Sequence, residues 1–399
     1  MRKLINGMTY WDKKDNPFDL TPLREDIETD VLIIGTGMSG TLSAYMLSQV
    51  EGLKIVMADA KNIAEGSSSA NTGLLQVMSD TMLSEFIDKI GEEKARSFHK
   101  MCEAALDDLF KIDERLGLDN LRRRKSLYCA STPEDVEKIK KEYEAQRIQG
   151  MSVSYLTEEE ALRMYRVKCP CALLTEGDAD MDPVAFIRGV TKHNLKEGVT
   201  IYPNTEIDLD SVKENTIQTF TGHTISFRYC IFATGYAKKY NLVRDMISIS
   251  RTYVLVSTPL KHEPWPEEVM IWETKDPYLY LRTSKDRRII AGGLDEDVDE
   301  VMNDEVYIER KMEELKKDVS AMMADELLLD VDHSYNALFG RVKDGLPLLG
   351  ADPTKSNHFY ILGYEGNGTV YSMAGAKIIQ NLIKGERDPF REIVKLDRE

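Results

Sequence analysis

The sequence predicts a mixed α/β protein in which a parallel-sheet domain is interrupted by a second, strand-rich domain. Three observations carry this expectation. Residues 30–59 read as a β–α–β unit: "DVLIIG", then "MSGTLSAYMLSQV", then "KIVMAD". The same kind of pattern resumes far downstream, with "TISFRYCIFATG" at 224–235 and "FYILGY" at 359–364 before a last helical run. Between them lie a helix-rich block at 80–149 and a strand-rich block at 251–293. The expected division is therefore discontinuous: 1–80, 150–235 and 330–399 in the parallel-sheet domain, 81–149 and 236–329 in the inserted one.

Each element has a local reason. Residues 1–29 read as a polar lead-in, with Pro17 and Pro22 as breakers. From 80 to 117 the pattern turns helical, with Leu83, Phe86, Ile87 and Ile90 on one face. "SLYCAS" (126–131) is a strand candidate and 133–149 a charged helix. Asp182 and Pro183 form a cap and first-turn pair for a helix to 198. "VTIYP", "TEIDLD" and "TIQTF" read as strands, as do "TYVLVST", "VMIWET", "YLYLRTS" and "RRIIAGG". Residues 303–323 form a helix, followed by "LPLLG", "FYILGY" and the terminal helix.

Composition narrows the function. With 52 basic and 68 acidic residues the chain carries a net charge of −16, which disfavours nucleic-acid and anionic-membrane surfaces. The acidic run "LDEDVDEVMNDE" (294–305) and the basic run "RRRK" (122–125) both read as solvated. Cys102, Cys129, Cys169, Cys171 and Cys230 have no disulfide framework, so reduced thiols and a cytoplasmic location are expected. The six histidines are dispersed, and no metal site is expected. No stretch suggests a signal peptide or an integral membrane span.

Four motifs carry chemistry. Gly35-Thr36-Gly37-Met38-Ser39-Gly40 follows a strand and opens a helix. Gly35 permits the turn, Gly37 lets a pyrophosphate approach the backbone, and Gly40 lets helix and strand pack. Asp59 ends the next strand at the place of the ribose-binding acid, although this motif does not separate NAD from FAD. Gly66-Ser67-Ser68-Ser69-Ala70-Asn71-Thr72-Gly73 offers backbone N–H groups where a flavin, but not a simple dinucleotide unit, needs a further loop. Ala233-Thr234-Gly235 ends a buried strand. Gly366-Asn367-Gly368 would turn a helix N-terminus, with its partial positive charge, towards a ligand. Against a flavin's pyrimidine edge, that charge would stabilise the negative charge of reduction.

In this order the motifs resemble those of the FAD-dependent D-amino-acid-oxidase-like family. "DVLIIGTGMSG", Asp59, "GSSSANTG", "GDADMDP" (177–183), "TEI" (205–207), "IFATG", "RRIIAGG", "DGLPLLG" (344–350) and "GYEGNG" together span most of the chain. Tyr10, Trp11 and "DGLPLLG" look most like the γ-glutamylputrescine-oxidase branch, beside glycine and sarcosine oxidases. The resemblance implies an FAD-binding Rossmann-like domain of glutathione-reductase type with an inserted antiparallel-sheet domain that holds substrate. It implies contacts to non-covalent FAD from Gly35, Gly37, Met38, Ser39, Gly40, Asp59 and Ala60, and from Ser67, Ser68, Asn71, Thr72, Gly73 and Leu74. Ile207, Ala233, Thr234, Gly235, Gly363, Gly366, Asn367, Gly368 and Thr369 complete that set.

The reaction implied is oxidation of a C–N bond in a small amine or amino-acid substrate. Hydride passes to flavin N5, the imine hydrolyses, and O2 takes the electrons to give hydrogen peroxide. The alternatives are a dehydrogenase passing electrons to a quinone or other carrier, and a flavin-binding subunit without turnover. An NAD enzyme would leave the last three motifs unexplained. The resemblance also points to departures. Phe339 stands where amino-acid-specific members place a carboxylate-clamping Arg, with Arg341 two residues on, and no Cys follows Cys230 to anchor a flavin covalently. Tyr278, Tyr280 and Arg282 alternate onto one face of a strand. Tyr280 and Arg282 are the catalytic candidates: if that face meets the flavin, Arg282 could pair a substrate carboxylate or assist oxygen reduction, the other reading being a solvated edge strand with a snorkelling Arg. Phe339 and Arg341 are the substrate candidates, and Tyr253 and Trp272 weaker wall candidates.

Overall fold

The computed structural model describes residues 3–11, 17–236, 246–325 and 327–398. Its strands form two sheets. The eight-stranded sheet has a parallel centre: His358–Leu362, Thr224–Phe232, Ile27–Ile34, Ile55–Ala58 and Thr200–Tyr202 lie side by side in that order. Leu348–Ala351 closes one edge antiparallel. Thr216–Thr219 and Ile207–Asp208 branch off as an antiparallel flap. Val31, Leu32 and Ile33 are fully buried, as a central parallel strand covered on both faces requires.

All ten residues of the helix Met38–Leu47 are buried. It runs against the helices Pro183–Lys196 and Gly368–Lys384, so it has no solvent face and no amphipathic stripe. Leu42 and Leu47 are completely buried there, worth about 2 kcal/mol each relative to exposure. Asp182 caps the Pro183–Lys196 helix by accepting from the Ala185 N–H at 2.9 Å, as its sequence suggests.

The ten-stranded sheet runs Ile5–Gly7, Val331–Val342, Ile247–Ser257, Ile289–Glu296, Tyr280–Thr283, Met270–Glu273, Arg122–Cys129, Cys171–Asp180 and Leu74–Leu75, with Val153–Thr157 paired to Cys171–Asp180. It is antiparallel except between Met270–Glu273 and Arg122–Cys129. Sheet membership departs from the expected ranges. Val153–Thr157, Cys171–Asp180 and Val331–Val342 pair into this second sheet, although the ranges 150–235 and 330–399 had grouped them with the first. Ile5–Gly7 joins it too, from a segment read as a polar lead-in.

Two charged runs also differ from expectation. Arg122 and Arg124 of the basic run are mostly buried against Asp180 and Glu268, with Arg122 Nη2 2.6 Å and Arg124 Nε 2.9 Å from Asp180 Oδ2. The acidic run begins as strand, so Asp295 and Glu296 are held inside the fold rather than in a solvated loop.

Candidate active site

The site grows out of the first glycine loop. Gly35 adopts φ +115°, a conformation that favours glycine, and a Cβ there would lie 2.3 Å from the Ala233 carbonyl oxygen. A Cβ on Gly40 would lie 1.9 Å from the Gly35 carbonyl oxygen. The loop is thus pressed onto both its own helix and the Ala233–Gly235 turn. Asp59 fixes it from the neighbouring strand. Its Oδ2 accepts from the Thr36 N–H at 2.7 Å and the Thr36 hydroxyl at 2.9 Å, and its Oδ1 accepts from the Lys61 N–H at 2.9 Å. Burial raises its pKa, against the pull of those hydrogen bonds.

The remaining motifs are tied to the first. Ser68 Oγ accepts from the Met38 N–H at 3.0 Å. Asn71 donates to Thr369 Oγ1 at 3.2 Å and accepts from the Gly73 N–H at 2.7 Å, which joins the second motif to the last helix. Trp11 donates to the Asn71 carbonyl at 2.6 Å. Ser39 Oγ meets Tyr364 OH at 3.0 Å and Ser372 Oγ at 2.8 Å.

These segments border one cavity of about 480 Å³ that continues from the glycine loop to the face of the second sheet. Gly35, Gly37, Met38, Ser39, Asp59, Ala60, Ser67, Ser68, Asn71, Thr72 and Leu74 line it. So do Ile207, Ala233, Thr234, Gly235, Gly366, Gly368 and Thr369. Gly40, Gly73, Gly363 and Asn367 are outside the lining. Gly40 serves packing, and Asn367 bonds the Gln76 carbonyl at 2.6 Å to hold the wall from behind. Tyr278, Tyr280, Trp272 and Phe339 line the far end. Tyr253 faces the other side of its sheet, where its hydroxyl donates to Glu296 at 2.8 Å.

Arg282 corrects the sequence-level expectation. Its strand is interior, and the side chain is 3% exposed and absent from the cavity lining. The guanidinium donates to the carbonyls of Thr72 at 2.8 Å, Met181 at 2.8 Å and Thr283 at 3.1 Å, and lies 3.4 Å from Asp180. It holds the wall of the site and is not turned towards a substrate. Arg341 is likewise outside the lining, paired with Asp295 at 3.0 Å and Asp276 at 3.6 Å.

Three carboxylates at this end escaped the sequence reading. Asp80, Asp295 and Glu365 line the cavity from three separate segments of the chain. Asp80 Oδ2 accepts from the Gly366 N–H at 2.9 Å. Burial raises the pKa of all three. Glu365 rises to about 8 through burial and then the negative charge of Asp80. The position of Glu365 inside "GYEGNG" was one available signal; Asp295 stood in the acidic run 294–305 that was read as solvated, and nothing near Asp80 marked it.

The residues fit FAD. Ser67 Oγ lines the cavity beside the glycine loop, buried and without a hydrogen-bond partner, as a donor awaiting a ligand oxygen would be. Two helix N-termini, at Met38 and Gly368, open onto the same space and favour negative charge. Among the described residues no helix is long and apolar enough to cross a membrane, and no group of three or more His, Cys, Asp or Glu side chains could hold a metal ion.

Comparison with known proteins agrees with this geometry. Residues 30–382 match the family model described as DAO, FAD dependent oxidoreductase. A putative Rieske 2Fe-2S iron-sulfur protein, YhfW, of Bacillus subtilis is 22% identical over 392 residues, 96% of this chain and 74% of that protein. Glycine oxidase of Geobacillus kaustophilus is 22% identical over 386 residues, 90% of this chain and 94% of that one. A crystal structure of glycine oxidase from the same organism superposes with a TM-score of 0.78 at 19% identity, covering 93% of this chain and 99% of the other. Gamma-glutamylputrescine oxidoreductase of Escherichia coli is 22% identical over 399 residues, 95% of this chain and 89% of that one. The family match runs through the glycine loop, both turns and the start of the terminal helix, and the chain belongs to the DAO family of FAD dependent oxidoreductases.

Proposed function

We propose that this protein oxidises the C–N bond of a small amine or amino-acid-like substrate. The observation that carries the reading is the continuity of the cavity. One end is a dinucleotide loop, and the other is an aromatic and carboxylate-lined chamber on the second sheet. FAD, when bound, supplies the acceptor for hydride from the carbon next to nitrogen and passes the electrons to O2 or another carrier.

The chain's own residues orient the substrate and handle its proton. Hydride leaves readily only when the nitrogen lone pair is free, so an ammonium must first lose a proton. Glu365, with its pKa raised to about 8, holds its proton through most of the neutral range and becomes an acceptor as pH rises towards 8, and Asp80 stands beside it. Tyr278 and Tyr280 are pushed above their ordinary range by burial, so they act as walls and hydrogen-bond partners rather than bases. The names of the similar glycine oxidase and gamma-glutamylputrescine oxidoreductase agree with this substrate class.

A second reading, a dehydrogenase that hands electrons to a carrier such as an iron–sulfur centre, is favoured by the similarity to the putative Rieske protein. One experiment tests both. FAD-loaded protein is mixed anaerobically with a panel of amines, N-methyl amino acids and amino acids, and loss of the oxidised flavin band is followed. Air is then admitted and peroxide measured. Bleaching followed by stoichiometric peroxide supports the oxidase, and bleaching with slow reoxidation supports the dehydrogenase. A flavin that dithionite bleaches but no substrate does would refute both.

A further inference from the structure

The substrate end of the cavity is lined by carboxyl groups and by no basic side chain. Asp80, Asp295 and Glu365 line it, whereas the Arg341 guanidinium is outside the lining and is already shared between Asp295 and Asp276. The Asp295 side chain is 8% exposed. Its Oδ2 lies 3.0 Å from Arg341, but its Oδ1, next to Thr252, has no hydrogen bond of normal geometry. A buried carboxylate oxygen left unpartnered at a cavity wall is costly unless something arrives to complete it.

Shape and chemistry agree on what that partner is. A Cβ on Gly366 would meet Asp80 Oδ1 at 2.5 Å, and as glycine this position brings no basic side chain from the loop to offset the carboxyl groups. Trp272, Tyr278 and Tyr280 form a continuous aromatic wall, with ring centroids 6.0 and 5.9 Å apart. Such rings attract cations as well as alkyl chains. Phe339, an apolar side chain, lines the same end. An α-carboxylate placed here would stand beside the carboxyl groups of Asp80 and Asp295, with no guanidinium in the lining to receive it.

We propose that this end of the cavity selects an organic cation lacking an α-carboxylate, its ammonium held by Asp295 and Asp80 and its carbon chain laid on Trp272, Tyr278 and Tyr280. This rests on the amine-oxidation reading and narrows it from amino acids to amines. The Asp295–Arg341 pair then positions a carboxylate for the ligand and does not hold a substrate carboxylate.

The test uses a matched pair of probes, 1,4-diaminobutane and ornithine, which differ only by the α-carboxylate. Calorimetric titration of the FAD-loaded protein should give at least tenfold tighter binding of 1,4-diaminobutane. Asp295→Asn should weaken that binding about tenfold or more and affect ornithine less, with FAD occupancy and melting temperature verifying a folded holoprotein. Asp80→Asn serves as the second variant should Asp295→Asn fail to fold. Ornithine binding as tightly as 1,4-diaminobutane, neither probe binding at millimolar concentration, or full diamine affinity in the variants would each overturn the proposal. These binding results are separate from flavin bleaching. Bleaching by amino acids with ornithine preferred would sink this inference and leave the oxidation reading standing. Tight diamine binding without bleaching by any compound would do the reverse.

Discussion

Replacing Arg282 with Met tests whether this residue is structural or catalytic. Its guanidinium satisfies the carbonyls of Thr72 and Met181 at 2.8 Å each and of Thr283 at 3.1 Å, and it helps neutralise Asp180 at 3.4 Å. Leaving a buried carbonyl without its donor costs ~1–3 kcal/mol. Asp180 retains Arg122 and Arg124, so its charge is not abandoned. Loss of the Thr72 and Met181 bonds then gives a destabilisation of roughly 4 kcal/mol. With an unfolding entropy of about 2.1 cal/mol/K per residue, a chain of 399 residues should lose about 5 °C in melting temperature. Thr72 lines the cavity, so the loop should also slacken and FAD dissociate at least ~10 times more readily, about 1.4 kcal/mol. Differential scanning of the FAD-saturated protein and fluorescence titration of released FAD measure the two effects, and Arg282→Lys should fall between. A variant with unchanged melting temperature and FAD affinity that loses turnover only on carboxylate-bearing substrates would refute this argument and return Arg282 to the catalytic centre.

Three further outcomes follow from the same geometry. Asp59→Asn loses part of the acceptor set for the Thr36 and Lys61 N–H groups and should weaken FAD binding roughly tenfold, about 1.4 kcal/mol, by equilibrium dialysis; unchanged retention would contradict the role of Asp59. Gly40→Ala puts a Cβ 1.9 Å from a carbonyl oxygen, so the helix must shift by a cost of ~3 kcal/mol or more, and the variant should purify with little FAD; a fully yellow protein would argue that the loop yields easily. Glu365 binds its proton more tightly folded than unfolded. The stability this contributes is complete below the unfolded value near 4.5 and is lost as pH rises through about 8. Glu365→Gln, which keeps an acceptor for the Val342 N–H, should flatten the decline of melting temperature between those limits; an identical profile would place the titration elsewhere.

Much of the cofactor-binding half was legible in the primary structure. The Gly35–Gly40 loop, the 66–73 turn, Ala233–Gly235 and the start of the terminal helix all line or brace the cavity as their chemistry suggests. The substrate half was less legible. The strand Val331–Val342 and the strand Cys171–Asp180 carry polar residues such as Asn336, Asp178 and Asp180 in buried positions, which breaks the alternation that would announce them. Their pairing is long-range, so local pattern could not assign them to a sheet.

The sequence alone determined the backbone geometry of the cofactor loops, because a glycine that must take a positive φ, or lie 1.9 Å from where a neighbour's oxygen would meet a Cβ, is a constraint within a few residues of itself. It also determined the family through the order of those loops. Only the tertiary structure decided what the charges do. Arg282 could be seen to alternate onto a face, but whether that arginine met a substrate or three carbonyls depended on Thr72 and Met181, more than a hundred residues away on the chain. Asp80, Asp295 and Glu365 became one carboxyl-lined chamber only when the fold brought their segments together. A charge acquires its meaning from its neighbours, and those neighbours are set by packing between distant segments rather than by the local chain.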